Sequence, residues 1–176
     1  MRRLTVTIDT NSINARQMNP HLNRLEKWHQ AGLIEITRTS VLDEELATDF
    51  TKMGESRRQR AQRYTMGKDT LVFTQKESFQ KSGDFLKGPI ADEWLDPTTQ
   101  ILHPGKHYHE LSIRDKRDIS HLATHKLHRW DYFVTTDRRD ILSRAEDLWW
   151  ELSIKALSPE DAVREIGAVL QERASE

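Results

Sequence analysis

The sequence predicts an α/β protein in which a parallel sheet is covered by helices on both faces. Three observations carry that reading. Short β-branched or aliphatic runs at 4–8, 33–37, 132–135 and 151–156 alternate with stretches of helical spacing, the pattern of strands joined by crossover helices. Two of these runs end in an aspartate, in Ile8-Asp9-Thr10-Asn11 and in Phe133-Val134-Thr135-Thr136-Asp137. The 176 residues suffice for a single domain with a real core, interrupted by a basic and irregular insertion at about 52–111.

Composition narrows the function. Charged residues make up 31% of the chain and hydrophobic ones 36%, which fits long solvated helices. A net charge of -1 argues against coating nucleic acid by bulk charge, so any such contact must come from a local patch. Without cysteine there are no disulfides, thiolate zinc sites or thiol nucleophiles, which agrees with a reducing cytoplasm. The apolar stretch after Met1-Arg2-Arg3 meets Asp9 too soon for a signal segment, and nothing approaches a membrane-spanning run.

Leu4-Thr5-Val6-Thr7-Ile8 reads as the first strand. A helix follows, with Asn19 as cap, Pro20 in the first turn and Gly32 as the stop. Leu33–Thr37 reads as a strand. The next helix opens at Thr39 or Ser40 and carries Val41, Leu42, Leu46 and Phe50 on its apolar side. Between Lys52 and Lys68 six basic residues stand against the single acid Glu55, as a solvated helix or a loop. Thr70–Phe73 could form a short strand. Breakers at Gly83, Gly88-Pro89, Asp96-Pro97 and Pro104-Gly105 leave room for one short helix at Ile90–Leu95. Ser112 with Asp115 starts a helix ending near Arg129, with Ile119, Leu122, Ala123 and Leu127 buried. Tyr132–Thr135 is a strand, Arg138–Leu148 a helical run, and Glu151–Ala156 the last strand. Ser158-Pro159-Glu160-Asp161 then opens the final helix, to about Arg173. Trp28, Trp149 and Trp150 are expected in or beside the core.

Carboxyl ends of parallel strands line the ligand crevice of open α/β sheets, so Asp9 and Asp137 would meet there. Asp118, on the helix before the second strand-end acid, would join them. Taken singly, Asp9 and Asp137 read better as helix caps and Asp118 as a surface charge. Together they would repel unless a cation neutralised them, and hard oxygens suit magnesium or manganese. His121, His125 and His128 at i, i+4 and i+7 could share a zinc ion, but no adjacent glutamate or third ligand is fixed by spacing, so ordinary histidines of an amphipathic helix are expected. His103, His107 and His109 have the same default.

Four segments, in order, resemble the motifs of PIN-domain ribonucleases: Ile8-Asp9-Thr10-Asn11, Ser40-Val41-Leu42-Asp43-Glu44-Glu45-Leu46, Asp118-x-x-His121-Leu122-Ala123 and Phe133-Val134-Thr135-Thr136-Asp137. The resemblance covers roughly residues 1–50 and 112–170. It implies a Rossmann-like three-layer α/β/α sandwich and a metal-dependent endonuclease that hydrolyses RNA through clustered acids. Asp9, Glu44, Asp118 and Asp137 would be the catalytic acids, with Asp9, Asp118 and Asp137 as ligands of Mg2+ or Mn2+. Spacing from Val41 favours Glu44 as the second acid and adjacency to Leu46 favours Glu45; the two differ by about 100° around a helix. Asn11 and Thr136 would lie near the cluster, and Asp140 is an outer candidate. Arg57, Arg58, Arg60 and Arg63 would contact RNA, with Tyr64 free to stack on a base. Proteins of this kind often act as toxins paired with an antitoxin, so the resemblance admits an antitoxin-like inhibitor and a homo-oligomer as partners. The alternative is a PIN-like RNA- or protein-binding module that no longer cuts. A haloacid dehalogenase-type phosphatase would want a second aspartate where Asn11 stands.

Overall fold

The computed structural model describes residues 2–15, 18–66 and 89–175, without the side chains at 14–15, 40, 44 and 89–92. Five strands form one sheet: β1 (Leu4–Ile8), β2 (Ile34–Arg38), β3 (Thr65–Met66), β4 (Tyr132–Val134) and β5 (Ala156–Leu157). Their order is β3-β2-β1-β4-β5 and all are parallel, with Leu4 opposite Ile34 and Val6 opposite Tyr132. The chain runs outward from β1 to β3 and then returns to the other side of β1. That reversal opens a crevice between β1 and β4 at the carboxyl ends of the strands, which is where Asp9 and Asp137 lie.

The helices are α1 (Thr10–Ala15), α2 (Pro20–Gln30), α3 (Ser40–Ala47), α4 (Lys52–Ala61), α5 (Pro89–Leu102), α6 (Ile113–Leu127), α7 (Ala145–Leu152) and α8 (Pro159–Ser175). Both faces of the sheet are covered, giving the three-layer sandwich. Along β1 the side chains alternate between two cores. Leu4, Val6 and Ile8 pack with Leu22 and Leu25 of α2 and Ala162 and Ile166 of α8. The opposite face gathers Phe133 of β4 with Ile119 and Leu122 of α6 and Leu148 and Leu152 of α7. The Thr5 and Thr7 positions, which make β1 look half-solvated in sequence, are buried too. Thr7 is satisfied there by His125 Nδ1 at 2.9 Å and Thr37 Oγ1 at 3.3 Å.

Several boundaries follow from local chemistry. Asn19 Oδ1 accepts the His21 and Leu22 N–H groups, and Gly32 takes φ 73 just past α2. We expect Asn19→Ala to cost about 1 kcal/mol in urea unfolding, the usual worth of such a cap; an unchanged midpoint would show that the cap contributes nothing. Gly54 is required for a different reason. A Cβ there would sit 2.2 Å from the Asp49 carbonyl oxygen, so only glycine lets α4 fold back against Asp49.

Other expectations are corrected. The helix read as Ile90–Leu95 runs to Leu102 straight through Pro97. A mid-helix proline costs about 3 kcal/mol, but burial of Leu95 and Leu102 against the α6–α7 core offsets it. The Thr98 and Thr99 hydroxyls bond back to the Trp94 and Leu95 carbonyls. Arg138–Leu148 is a turn and a short 3-10 segment before α7 starts at Ala145. The last strand is only Ala156–Leu157, because α7 continues to Leu152 and stops where Ser153 turns left-handed at φ 55. Phe50 lies past the end of α3 and is 92% exposed, and Trp150 is 74% exposed rather than in the core. The basic stretch is helical over Lys52–Ala61. The expected strand Thr70–Phe73 and Lys68 fall outside the described residues. Among the described residues no helix is long and apolar enough to cross a membrane.

Candidate metal centre

Two acids leave the sheet side by side. Asp9 follows β1 and starts α1, its Oδ1 accepting the Ser12 N–H at 2.7 Å and its Oδ2 accepting the Thr135 hydroxyl. Asp137, just after β4, accepts the Arg139 and Asp140 N–H groups on Oδ1 at 3.0 and 2.9 Å. Both acids therefore do cap local turns. Thr135, fully buried, ties them together: its oxygen takes the Asp137 N–H at 2.9 Å while its proton goes to Asp9. The sequence reading passed over Thr135, although it follows the strand by one residue.

Asp118 comes from α6 and is no surface charge. Burial pushes its carboxyl up to about 7; the His121 charge is the next largest influence and opposes the rise, while the charges of Asp9, Asp137 and Glu45 each add a smaller push to that of burial. Among the described residues no hydrogen bond or ion pair reaches the Asp118 carboxylate. Burial also raises Asp9, in spite of the Thr135 and Ser12 hydrogen bonds and the His121 charge, which favour its ionised form. The fourth acid in the cleft is Glu45, which accepts from the Thr10 hydroxyl and lies 3.3 Å from His121 Nε2 and 3.6 Å from Arg117 Nη1. Burial alone would raise it, but the His121 bond and charge, Thr10 and Arg117 bring it below the usual carboxylate range. Of the two second-acid candidates, Glu45 is the one described in the cleft. The Glu44 side chain lies outside the described residues.

Asp9, Thr10, Asn11, Glu45, Asp118 and His121 line a cleft of ≈ 370 Å³, with Asp49, Arg57, Arg114 and Arg117 at its wall and Asp137 outside its lining. His121, expected as an ordinary helix histidine, is 2% exposed and lies within the acid cluster. Its spacing of three from Asp118 puts the two on one helix face, which was the available signal. His125, one turn on, instead belongs to the core.

Asn11 is exposed on the cleft wall, whereas Thr136 and Arg138 line a separate 230 Å³ pocket with Asn19 and His21. Asp140 sits outside the cluster, paired with Arg139 at 3.1 Å. The basic candidates divide. Arg57 reaches the cleft but pairs with Asp49 at 2.7 Å. Arg58 braces the α3–α4 corner by donating to the Leu46 and Asp49 carbonyls. Arg60 is half-exposed and Arg63 exposed, away from the cleft lining. Tyr64 is buried, its hydroxyl on Glu26 at 2.6 Å, and so does not face a base. The arginines nearest the acids are Arg114, 3.6 Å from Asp137 Oδ2, and Arg117, both on α6 and both missed in the sequence.

Among the described residues no three His, Asp or Glu side chains stand close enough together to hold one metal ion as they are. The donor set nonetheless suits a hard divalent cation: it consists of carboxylates, with mutual repulsion that a cation would relieve. Comparison of the chain with family models, curated proteins and solved structures returned no match.

Proposed function

We propose that this protein is a magnesium- or manganese-dependent ribonuclease of the PIN-domain kind. What supports the reading is that Asp9, Glu45 and Asp118 line one cleft at the carboxyl ends of the strands, with Asp137 following β4 beside β1. Asp9, Asp118 and Asp137 would hold the cation, directly or through water. Once bound, such an ion acidifies a water and offsets charge building on the phosphate. The chain's own groups do the rest. Glu45, kept ionised by His121, accepts a proton from or orients an attacking water at its Oε atoms. Arg114 and Arg117, already facing carboxylates, can turn to the phosphodiester when the acids are neutralised. Asn11 offers an amide at the cleft wall.

A PIN-like binding module without cleavage is the second reading. It is favoured by the way Arg114 already partners Asp137 while Arg117 and His121 partner Glu45, which offsets two of the four acids without a cation. Incubation of a single-stranded RNA with Mn2+, and with EDTA instead, separates the two. The nuclease reading expects cleavage with Mn2+ and none with EDTA. RNA binding with no cleavage under either condition leaves the binding module standing.

A further inference from the structure

Among the described residues His121 is the buried imidazole that touches an acid of the cleft, and it bonds at both ring nitrogens. Nδ1 lies 2.7 Å from Thr39 Oγ1 and Nε2 lies 3.3 Å from Glu45 Oε2. The two partners stand at opposite ends of the same short helix. Thr39 is the cap of α3, its hydroxyl oxygen accepting the Leu42 N–H at 3.2 Å. Glu45 sits further along α3 and faces the cleft. Asp118 belongs to α6, three residues before His121. One imidazole on α6 thus grips α3 at its start and again at its acid.

We infer that His121 is a positioning residue that sets the Glu45 carboxylate against Asp118 through the Thr39–His121–Glu45 contacts. A carboxylate only accepts, so Nε2 must carry a proton whether the ring is neutral or charged. Thr39 completes the lock, because its hydroxyl can accept from or donate to Nδ1 and so serves either state of the ring. With the ring held at both nitrogens, the direction of Nε2–H is fixed, and Glu45 is fixed with it. The Thr10 hydroxyl holds the same Oε2 from the β1 side. A side chain without a donor at the Nε2 position would leave α3 free to shift along α6 and Glu45 free to turn out of the cleft. The role in catalysis rests on the nuclease reading, whereas the positioning of Glu45 does not.

Two measurements test it. The first is histidine 15N NMR on the intact protein, comparing wild type with Glu45→Gln. A proton on His121 Nε2 in the wild type, with a resonance that moves in Glu45→Gln, is expected. Nε2 without a proton, or an His121 signal indifferent to Glu45→Gln, would overturn the inference even if the protein cuts no RNA. The second is Mn2+-dependent RNA cleavage by His121→Leu and His121→Gln, each checked by circular dichroism for its fold. Groups that orient the residues around a metal are typically worth roughly 10–100-fold. His121→Leu should lose activity in that range in kcat with KM little changed, and His121→Gln, whose amide can donate to Glu45, should recover most of it. Folded His121→Leu protein with wild-type kcat, or equal losses in both variants, would refute the role. An inactive wild type would sink the nuclease reading and leave the NMR result to decide the positioning.

Discussion

On the proposed nuclease reading, Asp118→Asn should slow RNA cleavage severely and at the same time make the metal-free protein more stable. The two effects share one cause. In the fold the Asp118 carboxyl is pushed up to about 7 by burial and by Asp9, Asp137 and Glu45, while its ordinary value is 3.8. Below about pH 4 the group is protonated in both states and costs nothing. Between pH 4 and 7 the unfolded chain gives up the proton that the fold retains, so stability falls as pH rises, and above 7 the full cost stands. Three units at 1.36 kcal/mol each would be about 4 kcal/mol. Because the cleft opens to solvent, a gain of about 2 kcal/mol is the fairer figure for asparagine at pH 8. Urea unfolding in EDTA should show that gain at pH 8 and its disappearance near pH 4. Activity should move the other way if Asp118 holds a catalytic cation as proposed, since losing such a ligand forfeits several kcal/mol of charge stabilisation, about 10²–10³-fold in rate. Asparagine that stabilises nothing at pH 8 would mean that the carboxylates do not crowd as described. Undiminished cleavage would remove Asp118 from the reaction.

How far the sequence foretold this arrangement depended on whether the signal was local. Asn19-Pro20, Ser112 with Asp115, and Ser158-Pro159 marked helix starts that the structure keeps, because a cap is settled by the few residues around it. The parallel sheet followed from the strand–helix alternation, and the two strand-end acids followed from the sheet. What was not legible depended on partners distant in the chain. The helix across Pro97 survives on burial of Leu95 and Leu102 against residues that arrive later in the chain. Trp149-Trp150 look like core by type, yet α7 buries the stripe of Leu148 and Leu152, and its tryptophans fall outside it. Glu44 and Glu45 differ by about 100° of helix rotation, which spacing alone does not fix; only contacts with Thr10 and His121 from other elements put Glu45 in the cleft. His121 and His125 resemble each other in the sequence, and only the third dimension gives one to the acid cluster and the other to the core.

His125 supplies the opposite pH dependence to Asp118, from the same helix. Its Nδ1 meets the Thr7 hydroxyl, its ring packs edge-on to Phe133 and Trp130, and its Nε2 is buried without a hydrogen-bond partner. Burial drives its pKa from 6.5 down to about 3, with the nearby Lys126 and His128 charges adding to burial and Asp131 opposing. The ring is therefore neutral in the fold above about pH 3. Below pH 6.5 the unfolded chain takes up a proton that the fold refuses, so stability falls with falling pH until about pH 3, at about 1.4 kcal/mol per unit. By pH 4.5 the loss should reach about 2.5 kcal/mol, a large share of a typical domain's 5–15 kcal/mol. His125→Phe keeps a flat ring against Phe133 and removes the titration. At pH 7 the exchange should be nearly even, since the lost Thr7 bond, about 1 kcal/mol, is offset by no longer burying an unpaired nitrogen. At pH 4.5 the phenylalanine variant should then be the more stable by about 2–3 kcal/mol. Urea midpoints of both proteins at pH 7 and 4.5 measure the difference directly, because every other titrating group is common to the pair. Equal acid slopes in the two would place the His125 proton uptake in the folded state and contradict its burial as a neutral ring.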